Sequence, residues 1–172
     1  GYMGWIMVKS GLVDDPRVSH YSLATHLALA MFLMVFLYWI ALDIRFPLRR
    51  NRLEATPRLF KFTAAFLGLV VLQIFFGALT AGLRAGHLYN TFPLMNGMLI
   101  PTGLGYMGGF RDIFDNPVTV QFIHRCLGWS VFFAALALAY AAFRTPGLTW
   151  RQKVSLQVIA CLAIVQFTLG VV

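Results

Sequence analysis

The sequence predicts an all-α fold, a polytopic transmembrane helical bundle. Of the 172 residues, 59% are hydrophobic and 12% are charged, whereas soluble domains average about 45–50% and about 25%. Four runs with almost no charge are each long enough to cross the ~30 Å hydrocarbon layer as a helix, namely Tyr21–Leu42, Phe62–Leu83, Val118–Phe143 and Val154–Val172. We therefore expect the lipid bilayer to be the main partner of this chain.

The elements follow in order along the chain. Gly1–Val8 is predicted to be the last two turns of a further helix, so residues 1–42 form the end of an amino-terminal half. Residues 43–61 form a basic cytoplasmic loop, and residues 62–172 form the carboxy-terminal half with three helices. Because the chain starts in mid-pattern and stops inside an apolar run, we expect a fragment that lacks the first and last helices.

The net charge of +8 is explained by the membrane topology of the chain and does not indicate nucleic-acid binding. Lys and Arg concentrate in segments 43–61 and 144–153, while segments 9–20 and 84–117 balance theirs with Asp. By the positive-inside rule the first two segments face the cytoplasm and the other two face outward. No nucleic-acid partner is expected. Cys126 and Cys161 both lie in apolar runs, which argues against a disulfide framework and a CxxC site.

Two histidines lie inside predicted spans at matching positions. His26 and His124 each follow the outer start of a helix by about six residues, or about 9 Å along the axis. A weak internal repeat accompanies them, since a helix with a glycine precedes each helix with a histidine. Its members are Gly4 before His26, Gln73-x-x-x-Gly77 before His124, and Gln166-x-x-x-Gly170 before an expected histidine beyond Val172.

Ionisable side chains in a span are costly and are functional by default. Neutral imidazole is a good axial ligand for haem iron, so His26 and His124 are candidate metal ligands; the alternative is that each only hydrogen-bonds a neighbouring helix. Arg125 either pairs with a haem propionate or extends its charge to the interface. His20 and His87 are expected to be polar boundary residues and not further ligands.

The outer loop, residues 84–117, is rich in Gly, Pro and aromatic residues. It matches no phosphate loop or protease motif. We expect it to form a structured lid that lies on the membrane surface close above His124.

Several motifs together resemble the haem A synthase family, in its alphaproteobacterial and mitochondrial branch. They are Gly-Trp-x-Met-Val-Lys-Ser-Gly-Leu-Val (4–13), Ser-His-Tyr-x-Leu-Ala-x-His-Leu (19–27), Ala-Gly-x-x-Tyr-Asn-Thr-Phe-Pro-Leu-Met (85–95) and Phe-Ile-His-Arg (122–125). The resemblance covers essentially the whole chain, and the motif in the outer loop is its most distinctive part.

This resemblance implies an eight-helix protein of two pseudo-symmetric four-helix halves that oxidises a methyl group of haem O to the formyl group of haem A. It implies that His26 binds the substrate haem O and that His124, with Arg125, binds a haem B cofactor, the histidines being iron ligands. The partner histidines would lie outside this sequence. Gln121 stands where the family places a catalytic glutamate in its other half, so no catalytic residue is assigned here and the chain alone is expected to be inactive.

The resemblance also implies a bacterial inner membrane, or a mitochondrial one in a eukaryote. The expected partners are an external electron donor, because no flavin or nicotinamide fingerprint is present, and haem O synthase. The main alternative is a cytochrome b-type electron-transfer subunit that does not modify haem, although a second histidine 14 residues along is absent, since Ile40 and Leu138 stand there. A transporter with a histidine proton relay is a third reading, and unbroken spans disfavour it.

Overall fold

A computed structural model describes residues 2–11, 19–46 and 57–171. Within these residues the fold is helical, with a single isolated bridge between Met95 and Met98 and no strand. The helices are α1 (Tyr2–Gly11), α2 (His20–Arg45), α3 (Pro57–Gly82), α4 (Gly109–Asp115), α5 (Pro117–Arg144) and α6 (Trp150–Val171), with a short 3-10 helix at Ala85–His87. The predicted all-α class is confirmed.

Four of these helices, α2, α3, α5 and α6, are long and apolar enough to cross a membrane. They coincide with the four runs predicted from composition, and α1 confirms the helix predicted at the start of the chain. The helices extend up to five residues beyond the apolar runs, and at α5 and α6 polar side chains satisfy free backbone groups at the helix start.

The start of α5 illustrates this end effect. The Asn116 side-chain oxygen accepts a hydrogen bond from the Val118 backbone N–H at 3.0 Å, and Pro117 occupies the first helical position, where its missing N–H costs nothing. At the start of α6, Thr149 and Gln152 form a capping box: Gln152 Oε1 accepts the Thr149 N–H at 2.9 Å, and Thr149 Oγ1 accepts the Gln152 N–H at 3.3 Å.

The described residues divide into two compact units. The first comprises 2–11, 19–46 and 74–124, and therefore contains both intramembrane histidines and the whole outer loop. The second comprises 57–73 and 125–171. It contains an aromatic cluster, in which the Phe167 ring lies 4.6 Å from the Trp129 ring and 4.8 Å from the Phe132 ring, measured between centroids.

Some charges used for the topology prediction lie outside the described residues. These are the charges at positions 14, 15 and 17 of the outward segment and at positions 49, 50, 52 and 54 of the cytoplasmic loop. The orientation of the chain in the membrane stays a prediction.

Candidate functional site

His26 lies on α2 and packs its ring against a glycine of α1. A Cβ atom placed on Gly4 would stand 3.6 Å from His26 Cε1, an ordinary van der Waals distance. His26 is half-buried and lies about 9 Å along the axis from the start of α2. Gly4 and the imidazole are therefore neighbours across the two helices, with room for a methyl group between them.

His124 lies on α5 and repeats this arrangement against α3. A Cβ atom on Gly77 would stand 3.1 Å from His124 Cε1 and 3.6 Å from Nδ1, which is tighter than most real contacts. The Nδ1 atom is buried from solvent. His124 lies about 10 Å from the start of α5, so the two imidazoles have similar depths in their helices, as predicted.

The internal repeat therefore corresponds to a real contact in two of its three copies. The third copy differs, because nothing in the described part of the chain lies within 4 Å of a Cβ on Gly170, and Gln166 is exposed. Each glycine that faces a histidine accommodates an imidazole ring, a role beyond the close helix packing usually assigned to small residues.

Arg125 directly follows His124 on α5 and is half-buried. Successive residues on a helix are about 100° apart, so its side chain leaves the helix in a direction different from that of the imidazole. Its predicted role beside a haem propionate stays a prediction.

A bare metal ion and a haem iron make different demands on the donor groups of a protein. Among the residues that the structure describes, no three His, Cys, Asp or Glu side chains come together as a candidate metal site. A haem iron needs only axial ligands from the protein, because the porphyrin supplies the others. An imidazole is of the right chemical kind for an axial ligand, and His26 and His124 each present one beside a glycine of the neighbouring helix.

The outer loop is tied to α5 one turn before His124. The Gln121 amide donates hydrogen bonds to the Tyr89 carbonyl at 3.1 Å and to the Gly86 carbonyl at 3.5 Å. Gln121 is buried, and its Oε1 atom has no hydrogen-bond partner among the described residues. The polar residue that the sequence left without a role therefore holds the loop backbone near the candidate ligand.

Asp112 on α4 organises the other end of the outer loop. Its buried carboxylate accepts hydrogen bonds from the backbone N–H groups of Gly105 and Met107, at 2.9 and 3.1 Å, and from the side chains of Asn116 and Thr119, at 2.7 and 2.6 Å. These bonds, led by those from Asn116 and Thr119, lower the pKa of Asp112 from 3.8 to about 2. The carboxylate thus fixes the loop to the first turn of α5.

A second polar cluster joins α2 to the end of α4. The Asp115 carboxylate oxygen Oδ1 accepts a hydrogen bond from the Tyr21 hydroxyl at 2.7 Å and lies 3.0 Å from His20 Nε2. These contacts, with that from Tyr21 the largest, hold the pKa of Asp115 below its usual value. Sequence reasoning predicted His20 as a polar boundary residue but missed the pairing, because nothing in the sequence relates residues 94 and 95 positions apart.

The comparisons with known proteins cover the entire chain. Residues 1–172 match the COX15-CtaA family, described as cytochrome oxidase assembly protein. Among the curated relatives are proteins named heme A synthase from Paramagnetospirillum magneticum, which is 41% identical, Maricaulis maris, 43% identical, and Anaplasma marginale, 45% identical; each alignment covers 99% of this chain.

The chain spans about half the length of these relatives, since the same alignments cover 48%, 49% and 47% of their lengths. No solved structure matches the chain.

Proposed function

This chain belongs to the COX15-CtaA family of cytochrome oxidase assembly proteins, and from that premise we propose that it is part of a membrane oxidoreductase of haem A biosynthesis. Its relatives carry the name heme A synthase. The proposed reaction oxidises a methyl group of haem O to the formyl group of haem A, with a haem B cofactor that carries electrons.

Within that function, His124 is proposed to bind the iron of the haem B cofactor through its neutral imidazole. Arg125 would provide a cationic partner for a propionate, and His26 would bind the substrate haem O. Gln121 and Asp112 would hold the outer loop near the start of α5 and so restrict the access of water from outside. We assign no catalytic residue in this chain.

The observation that carries this proposal is the twice-repeated contact between an intramembrane imidazole and a glycine of the preceding helix, Gly4 with His26 and Gly77 with His124. At Gly77 the imidazole lies so close that an added methyl group would have to displace it, whereas at Gly4 the ring is in ordinary van der Waals range. A ring held at a set depth is what axial ligation of a haem requires.

The remaining parts of the proposal concern the whole protein. They are an eight-helix architecture of two pseudo-symmetric halves divided at the basic segment 43–61, a location in the bacterial inner membrane, an external electron donor, and haem O synthase as the source of substrate. The membrane location is supported by the four apolar helices.

The test of the cofactor role is His124→Ala in the full-length protein. We expect the loss of the cofactor haem, measured by the absorbance of the extracted pigment per mole of protein, with membrane insertion unchanged. The matched control is His87→Ala, because His87 is exposed in the outer loop. Full haem content in the His124→Ala protein would contradict the ligand role.

The test of the substrate role is His26→Ala. We expect the cofactor haem to be retained while haem A formation is lost, as measured by chromatography of extracted haems. Normal haem A yield would contradict the assignment of His26. A separate outcome would favour the cytochrome b alternative. In that case the unaltered protein, supplied with haem O, would bind haem but leave the methyl group of haem O unoxidised.

A further inference from the structure

The outer loop exposes more apolar surface than a water-facing loop normally carries. Leu99 is 78% exposed, Ile100 65%, Tyr106 88% and Phe110 82%. Four large apolar side chains that are each at least 65% exposed, within twelve positions of one segment, are unusual for a surface in water, where apolar patches are small and scattered. We call these four residues the apolar set.

The position of α4 relative to the membrane follows from one aromatic contact. The Phe114 ring lies 6.4 Å from the Phe75 ring and 6.3 Å from the Phe76 ring, between centroids. Phe76 is six residues before the end of α3 at Gly82, or about 9 Å along the helix axis. Because α3 is a candidate membrane span, Phe114 reaches below the outer end of that span.

Phe110 shares this face of α4, because residues four apart lie one above the other on a helix. It stands one turn from Phe114 and is 82% exposed, so no described side chain covers it. Asp112, two positions on, points to the opposite side, where its carboxylate is buried against the loop backbone and Thr119. The short helix is therefore amphipathic, with its polar side toward the loop and its aromatic side along the span.

The same hydrogen bonds hold Tyr106 in place. Its two neighbours in the loop are tied to α4, Gly105 and Met107 each donating a backbone hydrogen bond to Asp112. The Tyr106 side chain nonetheless is 88% exposed. A fixed backbone with an outward aromatic side chain is typical of the aromatic belt at a membrane interface.

We propose that the outer loop is an interfacial anchor, and that the apolar set inserts into the outer leaflet of the bilayer. Lipid is the occupant because the surface is continuous with the membrane on both sides: only Leu83 separates α3 from the loop, α5 begins at the last residue of the loop, and only Asn116 separates α4 from α5. Arg111, exposed on α4, lies where it can reach lipid phosphates. The anchor does not depend on the haem chemistry.

The experiment uses nitroxide spin labels on the full-length protein in phospholipid nanodiscs, with native cysteines replaced. Labels are placed singly at Leu99→Cys, Tyr106→Cys and Phe110→Cys, and at Asn90→Cys as an exposed polar control in the same loop. We expect the first three labels to collide more often with oxygen, which concentrates in lipid, than with a water-soluble nickel complex. The Asn90 label should show the reverse.

A measurement on the unmodified protein guards against altered folding of the variants. A phospholipid that carries a diazirine on its acyl chain should label residues 99–110, and a water-soluble diazirine should not. If the nickel complex dominates at the apolar set, the loop lies in water and the proposal fails. If neither reagent reaches these labels, the set is covered by protein, and the proposal fails equally.

Discussion

At the scale of single residues, the two glycine–histidine contacts differ in their tolerance of a methyl group. A Cβ on Gly4 would meet His26 Cε1 at 3.6 Å, and a Cβ on Gly77 would meet His124 Cε1 at 3.1 Å. The first distance is comfortable, while the second requires the ring to move by a few tenths of an ångström. The same substitution should therefore have unequal effects at the two positions.

We expect Gly77→Ala to destabilise the full-length protein by about 1–3 kcal/mol, the usual cost of overpacking, and to change the optical spectrum of bound haem. The control is Gly68→Ala on the same helix, where nothing lies within 4 Å of the added methyl group; it should be neutral or stabilising by up to about 1 kcal/mol. Thermal unfolding in detergent measures both. Equal midpoints for the two variants would contradict the tight contact.

The Asp112 carboxylate makes a pH-dependent contribution whose sign follows from its lowered pKa. Since the pKa falls from 3.8 to about 2 on folding, the ionised group stabilises the fold at pH values above about 4, and this contribution is lost as the pH falls toward about 2. We expect Asp112→Asn to lower the unfolding midpoint most between pH 5 and 8 and progressively less below pH 4. Asp43→Asn controls for the removal of one carboxylate. A constant difference down to pH 2 would contradict this role.

At the scale of elements, α2 and α3 approach each other at Gly82. A Cβ there would stand 2.6 Å from His20 Cβ and 2.7 Å from His20 Cα. Because one of these atoms belongs to the backbone, rotation of the His20 side chain cannot relieve the clash, and the helices would have to separate.

We therefore expect Gly82→Ala to destabilise the protein by about 1–3 kcal/mol and to weaken the hydrogen bonds from Tyr21 and His20 to Asp115. Gly86→Ala is the matched control, since nothing lies within 4 Å of a methyl group at that position. Chemical unfolding followed by helical circular dichroism gives the comparison. If Gly82→Ala unfolds at the same midpoint as the control, the close approach of the helices is wrong.

The helices could be predicted from the sequence because a run of about 20 apolar residues is the length of a membrane-spanning helix, and few other structures can cross a bilayer. The exact ends of the helices were harder to predict from the sequence. Capping bonds of Asn116 and Gln152 let α5 and α6 begin before the apolar runs do. The repeat predicted a glycine on the helix before each histidine, but the contact between glycine and imidazole came only from the structure. The partners of His20 and Gln121 could not, because contacts between residues 95 or 32 positions apart depend on how the outer loop folds.

At the scale of the whole molecule, the intramembrane histidines, the tied loop and the apolar set all belong to the first compact unit, and both histidines lie near the starts of their helices. His26 and His124 lie about 9–10 Å from the ends of their helices, and Gln121 connects the second of these helices to the outer loop. The proposed haem sites would therefore lie near one leaflet. The positive-inside rule predicts that it is the outer leaflet.

This orientation can be tested by labelling single cysteines in intact cells with a membrane-impermeant maleimide. Asn90→Cys in the outer loop should react from outside. Pro146→Cys, exposed in the connection between α5 and α6, should react only after the membrane is permeabilised, because it lies beside Arg144, Arg151 and Lys153 in a segment that the positive-inside rule assigns to the cytoplasm. A permeant maleimide controls for intrinsic reactivity at both positions. The reverse pattern would show that the histidines lie near the cytoplasmic leaflet. Haem O would then reach its site from the cytoplasmic side.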